Sequence, residues 1–354
     1  MLKSSPRKLL AIETSCDETA AAVISVDTKC VCIMSNVVAS QIALHRKTFG
    51  VVPEVASRAH NEKIIGVINL ALKKAKTNLD QIKAVAVTYG PGLIGSLLVG
   101  SETAKTIAYL YKLPIIPINH LEGHVFSAYA EGKSQISISN IKKSLPALAL
   151  VVSGGHTELV LVRKLFDYQV IGKTVDDAAG EAFDKIGRLL GLPYPGGPAI
   201  AAEAAKTKNQ KSKIKIELPR PMIRSSDFNF SFAGLKTAVL YQVIKMGKLT
   251  KVQKAAFAAE TQHAIVDVLV EKTYRAALKS GVKSVLLSGG VSANKLLRKT
   301  MAKRISGLGL PLYIAPHQLT TDNAAMIGLS GGLRYLEGKT ANWYDVKVNP
   351  NAQL

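Results

Sequence analysis

The stretch Leu9-Leu-Ala-Ile-Glu-Thr-Ser-Cys-Asp-Glu-Thr-Ala-Ala-Ala-Val-Ile-Ser25 consists of an apolar run, a polar turn and a second apolar run. This pattern is typical of two strands around a turn. The same arrangement returns at Leu148-Ala-Leu-Val-Val-Ser-Gly-Gly-His-Thr-Glu-Leu-Val-Leu-Val162. Because the two halves of the chain begin alike, the sequence predicts two related α/β domains.

The boundary between these domains is predicted in the polar run of residues 133–144, which has the composition of a linker. We therefore predict an N-terminal domain over residues 1–132 and a C-terminal domain over residues 145–354. The last helix of the chain is expected to pack back on the first domain. Apolar residues recur with helical periodicity at residues 57–76 and 252–279, which predicts a helix in each range.

The composition indicates a globular protein with an excess of positive charge. The 354 residues include 46 Lys and Arg against 25 Asp and Glu, a formal net charge of +21. Such an excess attracts polyanions, and nucleic acid is the first candidate, although selection for solubility or genomic base bias also produces lysine-rich surfaces. Part of the charge is clustered in a basic segment, residues 205–224, which is predicted to be a loop or flap. Its basic residues are Lys206, Lys208, Lys211, Lys213, Lys215, Arg220 and Arg224.

The compartment is predicted from cysteine content and hydropathy. The three cysteines, Cys16, Cys30 and Cys32, form neither an even disulfide framework nor a zinc-spaced set, which fits a reducing compartment. No apolar run approaches the roughly 20 residues needed to cross a bilayer. We expect a cytoplasmic protein without membrane association.

Three polar or glycine-rich loops follow apolar strands, at residues 14–19, 153–157 and 288–294. Glycine lets the backbone approach a phosphate closely, and Ser or Thr hydroxyls add donors without bulk. A single Gly-Gly turn is weak support, but three such loops at strand ends predict a nucleotide site.

His120 and His124 are one helical turn apart, so both imidazoles can face one metal ion. Glu122 lies on another side of such a helix, and the general-base position of a zinc protease is taken by Leu121, which weakens a protease assignment. Two ordinary satisfied histidines are the alternative interpretation. Asp322 offers a distant carboxylate ligand, although it could equally cap the helix that follows it.

Motifs along almost the whole chain resemble the TsaD family of tRNA N6-adenosine threonylcarbamoyltransferases, once described as glycoproteases. The resemblance is carried by Glu13-Thr-Ser-Cys-Asp-Glu-Thr19, Val52-Pro-Glu-Val-Ala-Ser-Arg-Ala-His60, Tyr89-Gly-Pro-Gly-Leu-Ile-Gly-Ser96, Asn119-His-Leu-Glu-Gly-His124, Val152-Ser-Gly-Gly-His-Thr157, Asp177-Ala-Ala-Gly-Glu-Ala-Phe-Asp184, Tyr194-Pro-Gly-Gly-Pro198, Phe230-Ser-Phe-Ala-Gly-Leu-Lys-Thr237, Gly289-Gly-Val-Ser-Ala-Asn294 and Thr321-Asp-Asn-Ala-Ala-Met326.

The resemblance implies the two-domain fold of actin, Hsp70 and sugar kinases, with duplicated RNase H-like domains and a nucleotide cleft between them. It also implies one divalent metal ion, iron or zinc, bound by His120, His124 and Asp322. The acidic positions Asp17 and Glu18 become candidate catalytic residues. The nucleotide-contacting positions of the family fall on Val151, Val152, Ser153, Gly154, Gly155, Asp184, Gly197 and Asn294.

By resemblance the reaction transfers a threonylcarbamoyl group from threonylcarbamoyl-AMP to N6 of the adenosine beside the anticodon, in tRNAs that read ANN codons, and releases AMP. The implied partners are tRNA, TsaB-like and TsaE-like proteins, and a TsaC-like enzyme that supplies the adenylate. The chain departs from the family at Ala201, where an acidic residue is common, so nucleotide affinity is the property in question. The alternative function is an ATPase-like or kinase-like scaffold of the same fold.

Overall fold

The computed structural model describes residues 6–130, 135–209 and 214–354. They form two compact units, the first over Met1–Lys143 and Ala315–Leu354 and the second over Ser144–Ile314. The strands of the first unit are β1 (Arg7–Glu13), β2 (Glu18–Val26), β3 (Cys30–Ser40), β4 (Ile82–Gly90), β5 (Ile115–Asn119) and β6 (Gln135–Ser137). Its helices are α1 (Ile42–His45), α2 (Pro53–Lys74), α3 (Ile94–Tyr111), α4 (His120–Ser127), α5 (Ile138–Ser144, which ends at the boundary) and α11 (Ala324–Leu336).

The second unit has its own strands and helices. The strands are β7 (Ala147–Val152), β8 (Thr157–Lys164), β9 (Asp167–Lys173), β10 (Ser284–Ser288) and β11 (Leu312–Ile314). The helices are α6 (Ala179–Leu189), α7 (Gly196–Ala205), α8 (Ala233–Met246), α9 (Lys251–Ser280) and α10 (Lys295–Ser306).

Both units contain the same sheet plan. The first sheet has the order β5-β4-β1-β2-β3-β6, and the second has the order β11-β10-β7-β8-β9. In the first sheet, β1 pairs antiparallel with β2 and parallel with β4. In the second sheet, β7 pairs antiparallel with β8 and parallel with β10. The two quoted stretches form these first hairpins, β1-β2 and β7-β8. The predicted duplication and the α/β fold class are therefore confirmed.

The strands read as continuous apolar runs because helices cover both faces of the sheet. Leu10 and Ile12 of β1 belong to a buried cluster that includes Ile64 and Ile68 of α2. On the other side, α11 lies against β1, β2 and β3. The predicted helices at residues 57–76 and 252–279 are α2 and α9, and α2 begins at Pro53 because proline is favoured in the first helical turn.

The division of the chain differs from the predicted ranges at two places. Residues 315–354, assigned by sequence to the C-terminal domain, belong to the first unit, because α11 packs on the first sheet. Residues 135–144 are not a free linker: β6 pairs with β3, and α5 follows it. Residues 131–134 of the predicted linker lie outside the described part. Within the described residues, no helix has the length and apolarity to span a bilayer.

Gly328 allows α11 to approach the first sheet closely. A Cβ at this position would lie 2.2 Å from Cγ1 of Ile24 and 3.1 Å from Cβ of Ala11. We expect Gly328→Ala to lower the free energy of unfolding by about 1–3 kcal/mol, as overpacking of a core does. Denaturant titration measures the change. The matched control is Gly66→Ala on α2, where a Cβ meets nothing within 4 Å, and it should stabilise by about 0.5–1 kcal/mol. Equal effects of the two substitutions would contradict this account.

Candidate functional site

Helix α4 starts directly after β5 and carries both predicted histidine ligands. The Asn119 side chain caps the helix by accepting a hydrogen bond from the Leu121 N–H at 2.9 Å. His120 is therefore the first helical residue, and His124 follows one turn later on the same face. The two ring centroids are 4.8 Å apart, and both side chains are buried.

Asp322 approaches both histidines from the segment before α11. Its Oδ1 lies 3.4 Å from Nε2 of His120 and 3.2 Å from Nε2 of His124. One ligand atom from each of the three residues lies within 4.8 Å of the other two. The structure thus brings together three residues that are separated by about two hundred positions in sequence, all within the first unit.

The alternative interpretations of this cluster do not agree with the structure. The N-cap of α11 is Asn323, whose side chain accepts from the Met326 N–H at 3.0 Å, so Asp322 does not cap the helix. Glu122 points away from the histidines and accepts two hydrogen bonds from Arg334. The arrangement is therefore not that of a zinc protease, in which the glutamate serves as general base.

The donor set fits a divalent transition metal. Among the described residues, the buried His124 forms no well-aligned hydrogen bond through either ring nitrogen, although its Nε2 faces Oδ1 of Asp322 at 3.2 Å. A buried polar atom without a well-formed hydrogen bond is costly, and a cation between Nε2 and Asp322 would bind both. Two imidazole nitrogens and one carboxylate are ligands that Fe²⁺ and Zn²⁺ accept, and three protein ligands leave positions open for substrate. The Asp322 side chain is 22% exposed, whereas those of the histidines are 6% or less.

Glu13, at the end of β1, orients His120 by contacting Nδ1, the ring nitrogen that does not face Asp322. Its Oε2 lies 3.1 Å from Nδ1 of His120 and accepts a hydrogen bond from the Thr88 hydroxyl at 2.5 Å. The Ser15 hydroxyl is also 3.1 Å from this Nδ1. A carboxylate on the far nitrogen of a ligating histidine fixes the tautomer and raises the basicity of the ligand. None of these three residues was singled out from sequence. The available signal was an acidic residue inside the apolar run at the end of β1.

His120, Asp322 and Glu13 strongly affect one another's pKa. Burial opposes protonation of His120, but Asp322 and Glu13 outweigh it and raise the pKa of His120 well above its usual value. Burial would raise the pKa of Asp322, yet His120 holds that pKa well below its usual range. Burial lowers the pKa of His124. A metal ion would replace the proton that the carboxylates favour on His120, so metal binding releases protons.

We expect Glu13→Gln to weaken metal binding without abolishing it. The amide would keep the shape of the side chain but remove the negative charge behind His120, and loss of such a partner typically costs about 10–100-fold in metal affinity. Competition with a chelator of known affinity measures the change. Thr88→Val, which removes only the hydroxyl that bonds Glu13, serves as the milder comparison. Unchanged affinity in Glu13→Gln would contradict the orienting role.

The candidate catalytic residues lie where the loop after β1 enters β2: Asp17 ends this acidic loop and Glu18 is the first residue of β2. His60 holds this loop, since its Nε2 lies 3.0 Å from the Cys16 carbonyl oxygen and its Nδ1 lies 2.8 Å from the Thr19 hydroxyl. Burial, together with the charges of Asp17 and Asp322, raises the pKa of Glu18 to about 10. A cation among these carboxylates would lower that pKa. The catalytic role of Asp17 and Glu18 stays a prediction.

The predicted nucleotide positions all lie in the second unit, most of them near the end of a strand or the start of a helix. Val151 and Val152 end β7, and the turn at residues 153–155 follows, with open space around both glycines. Gly289 follows the adjacent strand β10 and packs against the Val152 carbonyl oxygen. Ligands of open α/β sheets bind at such carboxyl ends of strands, so the placement is consistent with the predicted site.

Two of these positions have structural roles as well. The Asn294 side chain caps α10 by accepting from the N–H groups of Leu296 and Leu297. Asp184 on α6 accepts from the Gly196 N–H at 2.6 Å, which places Gly197 in the first turn of α7. Both contacts fix helix starts, where N–H groups face anions. Nucleotide contact by these residues stays a prediction.

Ala201, where this chain lacks the acidic residue that is common in the family, lies on α7. Glu203, the nearest acidic residue along this helix, forms an ion pair with Lys206 at 2.6 Å, and its side chain is 12% exposed. In the structure this carboxylate is therefore engaged on its own helix.

The basic segment is only partly described. Lys211 and Lys213 lie outside the described residues, as does the side chain of Lys208. Lys215 forms an exposed pair with Glu217, and Arg220 pairs with Glu260 and Asp267. The described end of this segment is thus held against α9, not displayed as a free flap.

Comparison with known proteins identifies the family. The model of the family "TsaD: tRNA N6-adenosine threonylcarbamoyltransferase" matches residues 32–329. The chain belongs to the TsaD family. It is therefore an enzyme, a transferase. A curated TsaD relative from Thermosipho africanus is 47% identical over 346 residues, covering 98% of this chain and 99% of its own. One from Dehalococcoides mccartyi is 48% identical over 332 residues, covering 94% and 95%.

Solved structures agree with this TsaD chain in fold. HypF from T. kodakarensis aligns with a TM-score of 0.62 at 15% identity, covering 98% of this chain and 50% of that one. A full-length HypF in a phosphate-bound and nucleotide-bound form aligns with a TM-score of 0.58 at 13% identity. The alignment covers 95% of this chain and 47% of that one. These similarities support the predicted actin, Hsp70 and sugar-kinase fold class.

Proposed function

We propose that this TsaD protein transfers a threonylcarbamoyl group from threonylcarbamoyl-AMP to N6 of the adenosine adjacent to the anticodon, in tRNAs that read ANN codons. The N6 nitrogen attacks the carbamoyl carbon, the bond from that carbon to the AMP phosphate oxygen breaks, and AMP leaves. The adenosine amine loses one proton. The observation that carries the proposal is the convergence of His120, His124 and Asp322 in a chain that belongs to this family.

The three ligands would hold one divalent ion, Fe²⁺ or Zn²⁺. When bound, the ion supplies a positive charge that stabilises the phosphate of the leaving AMP. Glu13 keeps the ring of His120 in position, which leaves its Nε2 as the ligating atom.

The adenosine amine is a poor nucleophile because its lone pair is delocalised into the ring. Catalysis therefore depends on the electrophile and on removal of the amine proton. We assign the N–H groups of Gly154 and Gly155 to the AMP phosphate, since a Cβ on either glycine would meet nothing within 4 Å, whereas the Ser153 N–H already donates to the His156 carbonyl oxygen at 2.8 Å. Asp17 accepts the amine proton as general base, or Glu18 does so once a bound cation has lowered its pKa.

Other proteins take part in this proposal. TsaB-like and TsaE-like proteins would assist the transfer, and a TsaC-like enzyme would make the adenylate. The basic surface of the chain would supply phosphate contacts to tRNA that do not depend on sequence. We assign the reaction to the cytoplasm, where tRNA is modified.

Reconstitution tests the proposal directly. The protein is incubated with tRNA, threonine, bicarbonate, ATP, the adenylate-forming enzyme and the two partner proteins, and the tRNA is then digested to nucleosides. We expect threonylcarbamoyladenosine by mass spectrometry only when this protein is present and only in tRNAs reading ANN codons. ATP hydrolysis by this protein alone, together with no modified nucleoside in the full mixture, would instead support the ATPase-like scaffold.

A further inference from the structure

A groove in the second unit is lined by four arginines and lies apart from the predicted metal and nucleotide positions. It encloses about 920 Å³ and is open to solvent. One wall is the end of the basic segment, residues 220–224, the second is one face of α9, and the third is α10. The lining residues are Arg220, Ile223, Arg224, Asp267, Val270, Glu271, Arg275, Thr300 and Arg304.

Two of the four arginines are neutralised within the groove. Arg220 pairs with Glu260 and with Asp267, and Arg304 pairs with Glu271 at 2.9 Å. These pairs engage both carboxylates of the lining, Asp267 and Glu271, but the single charge of Arg220 is shared between Asp267 and Glu260.

The other two arginines keep their charge. Arg275 donates to the carbonyl oxygens of Ile223 and Ser225, which hold its position without neutralising it. The exposed side chain of Arg224 has no partner among the described residues. The groove therefore presents two guanidinium groups without a carboxylate partner, and its four arginines against Asp267, Glu271 and Glu260 leave a net positive charge.

The wall that carries Arg224 is fixed in place. Besides the two Arg275 bonds, the buried Lys272 of α9 donates to the Ser225 hydroxyl at 2.6 Å and to the Asp227 backbone oxygen at 3.2 Å. A fixed wall loses little conformational entropy when it binds a ligand.

The chemistry of the groove fits phosphates of RNA. Guanidinium groups bind phosphate oxygens in bidentate geometry, and the Thr300 hydroxyl adds a donor. Helix α10 carries five basic residues and no acidic one, so positive charge continues beyond the groove. A surface of this extent suits several successive phosphates better than one small anion.

We propose that this groove binds backbone phosphates of the tRNA substrate, with Arg224 and Arg275 as the contacting cations. The inference rests on the proposed function, because that function makes tRNA the substrate. The groove would contribute binding energy and orientation and take no part in the chemical step.

The test is the salt dependence of tRNA binding, measured by fluorescence anisotropy with wild type and Arg224→Gln. One lost phosphate contact should weaken binding roughly tenfold at low salt and reduce the slope of log affinity against log salt by about one. Arg224→Lys should recover most of the affinity, because the charge returns. The charge-matched control is Lys83→Gln, an exposed lysine at the start of β4, which should behave as wild type.

Steady-state kinetics of the reconstituted reaction separates this inference from the proposed function. Arg224→Gln should raise KM for tRNA with kcat unchanged, as loss of uniform binding does. If wild type makes the modified nucleoside but Arg224→Gln binds tRNA with the same affinity and salt slope, the groove assignment is wrong and the function stands. If wild type makes no modified nucleoside, the proposed function itself fails. Weaker binding of AMP with unchanged binding of tRNA would make the groove a small-anion site and overturn the proposal.

Discussion

His120→Ala is expected to lose bound metal and transferase activity together while the protein stays folded. The substitution removes one of three ligands and leaves a two-ligand site, while Glu13 keeps its hydrogen bonds from the Thr88 hydroxyl and the Ser15 N–H. A bound metal ion stabilises developing charge by several kcal/mol, so the rate should fall roughly a thousandfold. Metal content by mass spectrometry and nucleoside analysis of tRNA measure the two losses.

The control for this variant is His317→Ala. His317 is an exposed histidine in the same unit, on a short 3₁₀ turn before Asp322. It should keep the full metal content and activity of wild type. His124→Ala and Asp322→Ala should reproduce the effect of His120→Ala, because the three residues form one site. Wild-type metal occupancy in purified His120→Ala would refute the assignment of the ligands.

Arg334→Ala should cause the largest loss of stability among the substitutions considered. Glu122 is fully buried and accepts hydrogen bonds from both Arg334 and Ser330. Removing the guanidinium leaves a buried carboxylate without its charge partner, which typically costs about 3–5 kcal/mol. The melting temperature should fall on the order of 10 °C. Thermal unfolding followed by circular dichroism measures it.

Two comparisons distinguish a buried pair from an ordinary surface pair. Arg58→Ala removes an arginine from the exposed pair with Glu54 on α2 and should change stability little. Glu122→Leu combined with Arg334→Met should recover much of the loss, because no unpaired charge remains in the core. A small effect of Arg334→Ala alone would contradict the assignment of Glu122 and Arg334 as a stabilising buried pair.

Local patterns in the sequence were sufficient for much of the fold. The repeated strand-turn-strand stretches predicted the duplicated sheet because alternation of apolar runs and polar turns depends on neighbours in sequence. The i, i+4 spacing of His120 and His124 placed both rings on one face of a helix for the same reason. The sequence analysis expected the last helix to pack back on the first domain, but the assignment of all of residues 315–354 to the first unit and the pairing of β6 with β3 could not be predicted this way. Both depend on which sheet edge or face was left uncovered.

The metal cluster shows the same limit. Spacing alone left Asp322 equally suited to a helix cap, and it was the family resemblance that made it a ligand. The structure separates the two roles by one residue, with Asn323 as the cap and Asp322 beside the histidines. Glu13 could not be assigned from sequence because its contact with His120 spans 107 positions.

The sequence by itself determined the α/β class, the duplication, the family and the histidine pair, because each is encoded in periodicity, spacing or a contiguous motif. Only the tertiary structure decided how Asp322, Glu13 and the acidic loop are placed around the histidines, and which two arginines of the groove have no carboxylate partner among the described residues. These depend on long-range packing of α11 on the first sheet and of residues 220–227 on α9, and no local pattern in a chain specifies contacts between segments so far apart.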